Sequence, residues 1–528
     1  MFVVHCHHSS AYITKMLPAD EIVRIAIRET DGEVTPDQKA ALLAHVHDAL
    51  ERPEIIPPFS KESRPLSVVR FRALLQDTGY PAEVYLPPGA DASDWSQLRE
   101  RWVGWAVEIP GEQEWAKHAS SISDISAAFA GLSLEASHAV VKDKHPTVKG
   151  TDYTGALLKV YEDFSPSPAS SYDVVGLVSA APMPTSLDDD EDEPSLAPAI
   201  HALTVSPIEG ASRPSASTAR ADLLSYLASV FSPPDEHAAE LLLLALLARP
   251  AVRPTGHPPL GTFALNLVRP RPSSDTLHPR LAALSPSAVN LHLTLPLLHA
   301  ERFRPKSDGA SLSPGLLQLA PGTLLLVDED GLGAGGALNE VALRNLQALK
   351  DAVEHQTVNY EYPYMDGVRI ECALRAVISG EGKSLLPCDA VLPVSLADSV
   401  EAVSEEQLTT FRQYLAEHGG AAHAAALTIP ESVASSVQDR FVEERRAGRG
   451  TDDAEGRLKR RMKIARLLAL SHHQAELTQA LWARALELDD EIERREADRE
   501  AKRRDGKLGA PDVNGHSHTN GHGQTNGH

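Results

Sequence analysis

Cysteine is scarce in this chain, with three in 528 residues, at Cys6, Cys372 and Cys388. An odd count, widely spaced and without a Cys-x-x-Cys pair, excludes a disulfide framework and a cysteine-built structural zinc site. It fits free thiols in a reducing compartment. Aromatic residues make up only 5% of the chain, so base-stacking platforms cannot dominate its chemistry. Positive charge is also short: 50 Lys and Arg face 73 Asp and Glu, a net charge of −23. That balance argues against a protein driven electrostatically onto DNA or a membrane surface, and favours basic protein partners. Long apolar runs are missing too. The strongest, Leu241 to Ala248 (LLLLALLA), is far too short to span a bilayer and reads as a buried helix. The first residues, MFVVHCHHSSAYITKML, lack the basic start and apolar core of a secretory signal. A soluble intracellular protein is expected.

What is present divides into segments. Residues 1–60 contain two stretches with helical spacing of apolar residues, ADEIVRIAIRE and DQKAALLAHVHDALE. Residues 61–180 turn to short strands: Ser67–Asp77, Glu83–Leu86, Trp102–Ile109, Leu157–Tyr161 and Tyr172–Val178. These predict a five-stranded OB-like barrel with a mobile insertion at about 112–152. Residues 181–218, with six consecutive acids at 188–193 among Pro and Ser, are expected to be a solvated linker. From 219 to 398, helices alternate with strands at Gly261–Val268, Val289–Leu295, Thr323–Val327 and Ile370–Ile378, the pattern of a doubly wound parallel sheet. Residues 399–505 are helical, with 457–504 expected as one long helix. Residues 506–528 form a Gly/Asn/His-rich tail expected to be disordered. The fold class expected is therefore a multidomain α/β and β chain.

The sharpest chemical signal is Leu324-Leu325-Leu326-Val327-Asp328-Glu329, a buried strand delivering two carboxylates to its C-terminal tip. In P-loop ATPases such an Asp holds Mg²⁺ and its neighbour polarises the attacking water. A phosphate loop with Gly, Lys and Ser/Thr must precede it, and none does. Near Gly261 to Pro270, Arg269 and Pro270 stand where glycines and lysine are needed. Gly380-Glu381-Gly382-Lys383-Ser384 follows the acidic strand, and Val377 occupies the place of its required first glycine. The pair Asp328–Glu329 is therefore read as vestigial, with no catalytic residue, cofactor or metal site assigned. Arg466 on an amphipathic stretch reads as a surface or packing arginine, and the tail residues His516, His518, His522 and His528 read as low complexity. The cluster Lys502, Arg503 and Arg504, bordering the tail, is the better candidate for nuclear import; Lys459 to Lys463 reads as helix surface. Arg70, Arg72 and Tyr85 are the residues the barrel offers to nucleic acid, with little basic surround.

Several segments together resemble the mini-chromosome maintenance complex-binding protein family. They are Ser67–Asp77 (SVVRFRALLQD), Val107–Lys117 (VEIPGEQEWAK), Leu158–Asp163 (LKVYED), Gly176–Ser179, Arg220–Leu224 (RADLL), Ser313–Glu329, Asn345–Tyr362, Ser379–Pro387 (SGEGKSLLP) and Ala465–Trp482. Within Asn345–Tyr362, LKDAVEHQTV is similar to the segment after the acidic strand in the helicases themselves. The short acidic linker and the His-rich tail depart from the family. The resemblance implies a degenerate AAA+-like domain with a C-terminal helical lid, and a nuclear, non-enzymatic partner of the replicative helicase subunits. It further implies roles in ring assembly or unloading, supply of new subunits and sister-chromatid cohesion, with indirect chromatin association and no membrane. An active AAA+ ATPase or helicase paralogue and a stand-alone OB-fold nucleic-acid binder are the competing readings.

Overall fold

A computed structural model describes residues 17–508 apart from 31–33, 92, 118–140, 142, 149, 185–195, 209–217, 271–275, 333–335, 400–401, 420 and 447–450. Two helices come first, α1 (Ala19–Glu29) and α2 (Pro36–Glu51). In α1 the buried residues Ile22, Val23, Ile25 and Ala26 share one face, with acids in the first turn and Arg28 in the last. Thr35 and Gln38 form a capping box at the start of α2, with Pro36 at its first position. The apolar faces of both helices cover Val175, Leu177 and Leu203 of the sheet that follows.

That sheet contains β1 (Val68–Asp77), β2 (Glu83–Tyr85), β3 (Arg99–Glu108), β4 (Gly155–Val160), β5 (Ser171–Pro182) and β6 (Leu196–Pro207). The order is β1-β5-β6-β4-β3-β2, and β1 pairs β3 as well, so five strands close into a ring. Only β4 and β6 run parallel among these pairs. The short β2 lies outside the ring. The fifth ring strand is β6, in a stretch expected to belong to the 181–218 linker. It pairs with β5 from Tyr172↔Pro207 to Pro182↔Leu196. Its prolines and the adjoining acids hid a strand whose stability comes from partners distant in sequence. Gly176 permits the close approach, since a Cβ there would sit 2.5 Å from Ile200 Cγ2 and 2.6 Å from the His201 carbonyl oxygen. The acidic run itself lies outside the described residues.

The second sheet is wholly parallel. Its strands are β7 (Leu265–Val268), β8 (Ala288–His292), β9 (Leu324–Asp328), β10 (Arg375–Gly380) and β11 (Ala390–Pro393), in the order β11-β7-β10-β9-β8. Helices α3 (Ala219–Ala228), α4 (Glu236–Leu247), α5 (Leu277–Leu284) and α6 (Glu340–Glu354) flank it. Successive strand residues face opposite layers. Leu324 and Leu326 join the core that contains α4, whereas Leu325 and Val327 join the core that contains Leu346 and Leu349 of α6. Both faces are covered, which is why β9 is a continuous apolar run. The LLLLALLA segment forms the C-terminal part of α4, with Ala248 as its C-cap, and among the described residues no helix is long and apolar enough to cross a membrane. The single strand expected at 370–378 is two: Val368–Glu371 pairs with Thr357–Tyr360 as a hairpin, and β10 enters the parallel sheet.

Further helices follow the sheet: α7 (Glu405–His418), the short helix Ala421–Ala426, α8 (Glu431–Arg446), α9 (Thr451–Ser471) and α10 (Gln479–Leu508). The one helix expected at 457–504 is thus a hairpin of α9 and α10. The reversal follows Ser471, where His473 adopts a left-handed φ of 53°. Folding back buries Ile464, Leu467 and Leu468 against Ala485, Leu488 and Ile492 in the α4 core. Fully buried Asp489 accepts bonds from Arg460 and Arg461, and Arg484 reaches Glu240 of α4 at 2.8 Å. The ring and the parallel sheet meet directly. Ala288 N–H donates to the Gly111 carbonyl at 2.9 Å, and Leu312 N–H donates to Asp77 Oδ2 at 2.7 Å. Part of the expected 112–152 excursion is packed into this structure. Lys144 Nζ lies 3.1 Å from Asp77 Oδ2, and His145 is buried. Residues 118–140 of it lie outside the described residues. The chain is mixed α/β with helices and several sheets, as its alternating pattern implied.

Candidate functional site

The C-terminal tips of the parallel strands gather side chains from distant parts of the sequence. Asp328 ends β9, in register with His292 at the end of β8 and Ser379 near the end of β10. His292 Nδ1 lies 2.8 Å from Asp328 Oδ2. The other oxygen, Oδ1, accepts the Asp330 backbone N–H at 3.0 Å and faces Arg269 Nη2 at 3.5 Å. Arg269 follows β7 directly. Its backbone N–H donates to the Gly380 carbonyl at 2.9 Å, which fixes its place beside the acidic tip. The same guanidinium reaches Asp330 Oδ2 at 2.7 Å. One arginine therefore bridges two carboxylates where the first strand ends.

Glu329 points elsewhere. Its Oε1 accepts the Ser384 hydroxyl at 2.8 Å and the Leu385 N–H at 3.1 Å. Burial raises the Glu329 carboxyl above the usual range; the two hydrogen bonds oppose that shift, and neighbouring Asp328 adds to it. Ser384 belongs to the Gly380–Ser384 stretch whose lysine suggested a phosphate loop. In the structure this stretch holds a carboxylate, a role a phosphate cradle could not share. The donor set does not suit a Mg²⁺–nucleotide. A metal at Asp328 would compete with Arg269 and His292, and β7 leads into Arg269-Pro270 with no glycine amides to wrap a phosphate. Sequence reading singled out the two carboxylates but not Arg269, His292 or Ser384 as their partners. The signal for Arg269 was its position, at the place of the missing glycines.

The remaining candidates are dispersed. Lys502, Arg503 and Arg504 are exposed and helical, on α10, which continues past the expected boundary at 505 to Leu508. Arg504 lies 3.7 Å from Glu500. Lys502, with Arg499 and Arg495, lines a cleft of about 890 Å³ that Arg269 and Pro270 border from the sheet side. This brings one member of the basic cluster to the same end of the sheet as Asp328. Arg466 is half-buried on α9, and among the described residues no hydrogen bond or ion pair joins it to Asp328 or Glu329. On the barrel, Arg70 Nε bonds Asp173 Oδ1 at 2.8 Å and Arg72 Nε bonds Glu112 Oε1 at 2.7 Å. Tyr85 is buried edge-on against Tyr161 at 5.2 Å. The tail histidines lie outside the described residues.

Residues 134–496 match the model of a family described as mini-chromosome maintenance replisome factor. Similar curated proteins bear the name mini-chromosome maintenance complex-binding protein. The one from Danio rerio is 32% identical over 286 residues, 51% of this chain and 44% of that protein. The one from Arabidopsis thaliana is 31% identical over 280 residues, 51% of this chain and 46% of that protein. The Homo sapiens protein is 31% identical over 289 residues, covering 52% and 44%. The matched stretch thus spans less than half the length of each of these relatives.

Proposed function

The chain belongs to the mini-chromosome maintenance replisome factor family, and on that premise we propose that it binds subunits of the replicative helicase as a non-enzymatic partner. The observation that carries this reading is the bridge from Arg269 to Asp328 and Asp330. A fixed internal cation takes the place that Mg²⁺ and a phosphate loop fill in an ATPase. Counted along the chain, the parallel strands stand in the order five-one-four-three-two, with the acidic tip on the third. That arrangement supports a degenerate AAA+-like domain, with α7 to α10 as its lid. The five-strand ring with one parallel pairing supports an OB-like barrel. A domain of this shape is suited to dock beside true ATPase subunits without contributing chemistry. The neutralised Arg70 and Arg72 speak against the barrel acting alone on nucleic acid. Action in ring assembly or unloading, in supply of new subunits and in cohesion belongs to the same proposal. So do nuclear localisation and the Lys502–Arg504 import signal.

The deciding experiment is affinity capture of the full chain from nuclear extract, with mass spectrometry, alongside a nucleotide-binding assay on the purified protein. Helicase subunits should be captured, and ATP uptake should be negligible. Absence of those subunits would overturn the partner assignment. Tight ATP binding would favour an active ATPase paralogue instead.

A further inference from the structure

Two helix ends converge away from the strand tips. His418 is the last residue of α7, Glu417 precedes it, and His473 lies just beyond α9. The His418 ring is nearly buried, 4.3 Å from the Tyr414 ring and 5.0 Å from that of His473. Its Nδ1 stands 3.0 Å from the Leu470 carbonyl oxygen. A carbonyl can only accept, so Nδ1 carries a proton, and in the neutral ring Nε2 is the nitrogen with the lone pair. An imidazole oriented in this way, through its other nitrogen, is the usual state of a metal-ligating histidine. Glu417 Oε2 lies 3.9 Å from that Nε2. One ligand atom each from Glu417, His418 and His473 falls within 4.8 Å of the others.

The surrounding field has the right sign. Both α7 and α9 end here, and helix C-termini carry partial negative charge that favours a cation. The turn after α9 is held by bonds from His473 N–H to the Leu470 carbonyl and from Gln474 N–H to the Ala469 carbonyl, each 2.9 Å. Arg249 opposes this field, since a Cβ on Gly419 would meet its Nε at 3.7 Å. The Glu417 carboxylate supplies the compensating charge.

We propose that Glu417, His418 and His473 form a binding site for a divalent cation of the zinc class, joining the last turn of α7 to the turn after α9. Two imidazoles and one carboxylate suit Zn²⁺ with an open fourth position, whereas Mg²⁺ and Ca²⁺ prefer oxygen-only sets. Ligand atoms in a tetrahedral site stand roughly 3.3 Å apart. Closing to that spacing needs side-chain rotation of Glu417 and His473, while His418 stays fixed. Sequence spacing offered no sign of this site, because His473 lies more than fifty residues from Glu417 and His418.

The test uses the full chain with His5, His7, His8, His516, His518, His522 and His528 changed to Asn and Cys6 to Ser, which removes competing terminal ligands. Titration with Zn²⁺ should show one equivalent bound and a melting temperature that rises with free zinc. His418→Ala removes a buried hydrogen bond and is a poor probe. Glu417→Gln and His473→Asn are better, because Asn tolerates a left-handed backbone. Each should weaken zinc binding at least tenfold and shrink the zinc-dependent rise in melting temperature. No zinc uptake by the parent, or undiminished uptake by both variants, would overturn the proposal.

Discussion

The guanidinium of Arg269 lies 3.5 Å from the carboxylate of Asp328, across 59 residues of chain. The contact places an internal cation against the acidic strand tip, beside Asp330 as well. Breaking it should expose what it does. Both acids are largely shielded, so Arg269→Ala removes a cation that the two carboxylates share and should cost about 3 kcal/mol. Urea unfolding would measure this. Nucleotide binding should not emerge, because the sequence after β7 still supplies neither the glycines nor the lysine of a phosphate loop.

Glu329→Gln keeps an oxygen for Ser384 and Leu385 and removes a charge that burial already disfavours. Stability should change by less than about 1 kcal/mol. Capture of helicase subunits should remain as in the parent. A loss of capture with the fold intact would reopen a nucleotide role at this strand.

Gly111 adopts φ +68°, and a Cβ there would stand 2.2 Å from the Ala288 carbonyl oxygen. Gly111→Ala should therefore force the ring and the parallel sheet apart, at a cost of about 3 kcal/mol from strain and overpacking. Calorimetry should show the melting transition broaden or split, and proteolysis should cut near this junction. An unchanged single transition would refute the importance of the contact.

Burial holds the His145 imidazole down at about 4, with the bond to the Glu108 carbonyl pulling the other way. The neutral ring serves both neighbours, Glu108 O and Thr147 Oγ1, each at 3.0 Å. In the unfolded chain the ring protonates below about 6.5. Unfolding then takes up a proton, so stability is lost as pH falls from about 6.5 to 4, by on the order of 3 kcal/mol. Denaturant midpoints across that range should decline. His145→Phe, less stable at neutral pH, should show a shallower decline.

The α1–ring contact gives a second acid-sensitive element. At Glu29 burial alone would raise the carboxyl, but the Arg101 hydrogen bond and the charges of Lys159 and His201 outweigh it and hold it at about 2. Its folded value lies below the unfolded one, so its stabilisation is complete above about 4.5 and fades as pH falls towards 2. Glu29→Gln should remove that acid-range slope. It should also loosen α1, as hydrogen exchange of Ile22 to Ala26 would register.

The apolar run before Asp328, the helical spacing of α1 and α6 and the missing glycines after β7 were legible because each is a property of neighbouring residues. Local pattern sets strand, helix and turn preference, and the absence of a loop motif is itself local. The strand Leu196–Pro207, the break between α9 and α10 and the division of 368–380 into two strands were not legible in this way. Their stability comes from partners far along the chain, such as Tyr172 opposite Pro207, or the shared core of Ile464 and Ala485. The same holds for the chemistry. The sequence by itself determined that two carboxylates would stand at a strand tip with no phosphate loop before them. Only the tertiary structure decided that Arg269, His292 and Ser384 would satisfy them, because burying a charge demands a partner and folding alone selects which distant residue arrives.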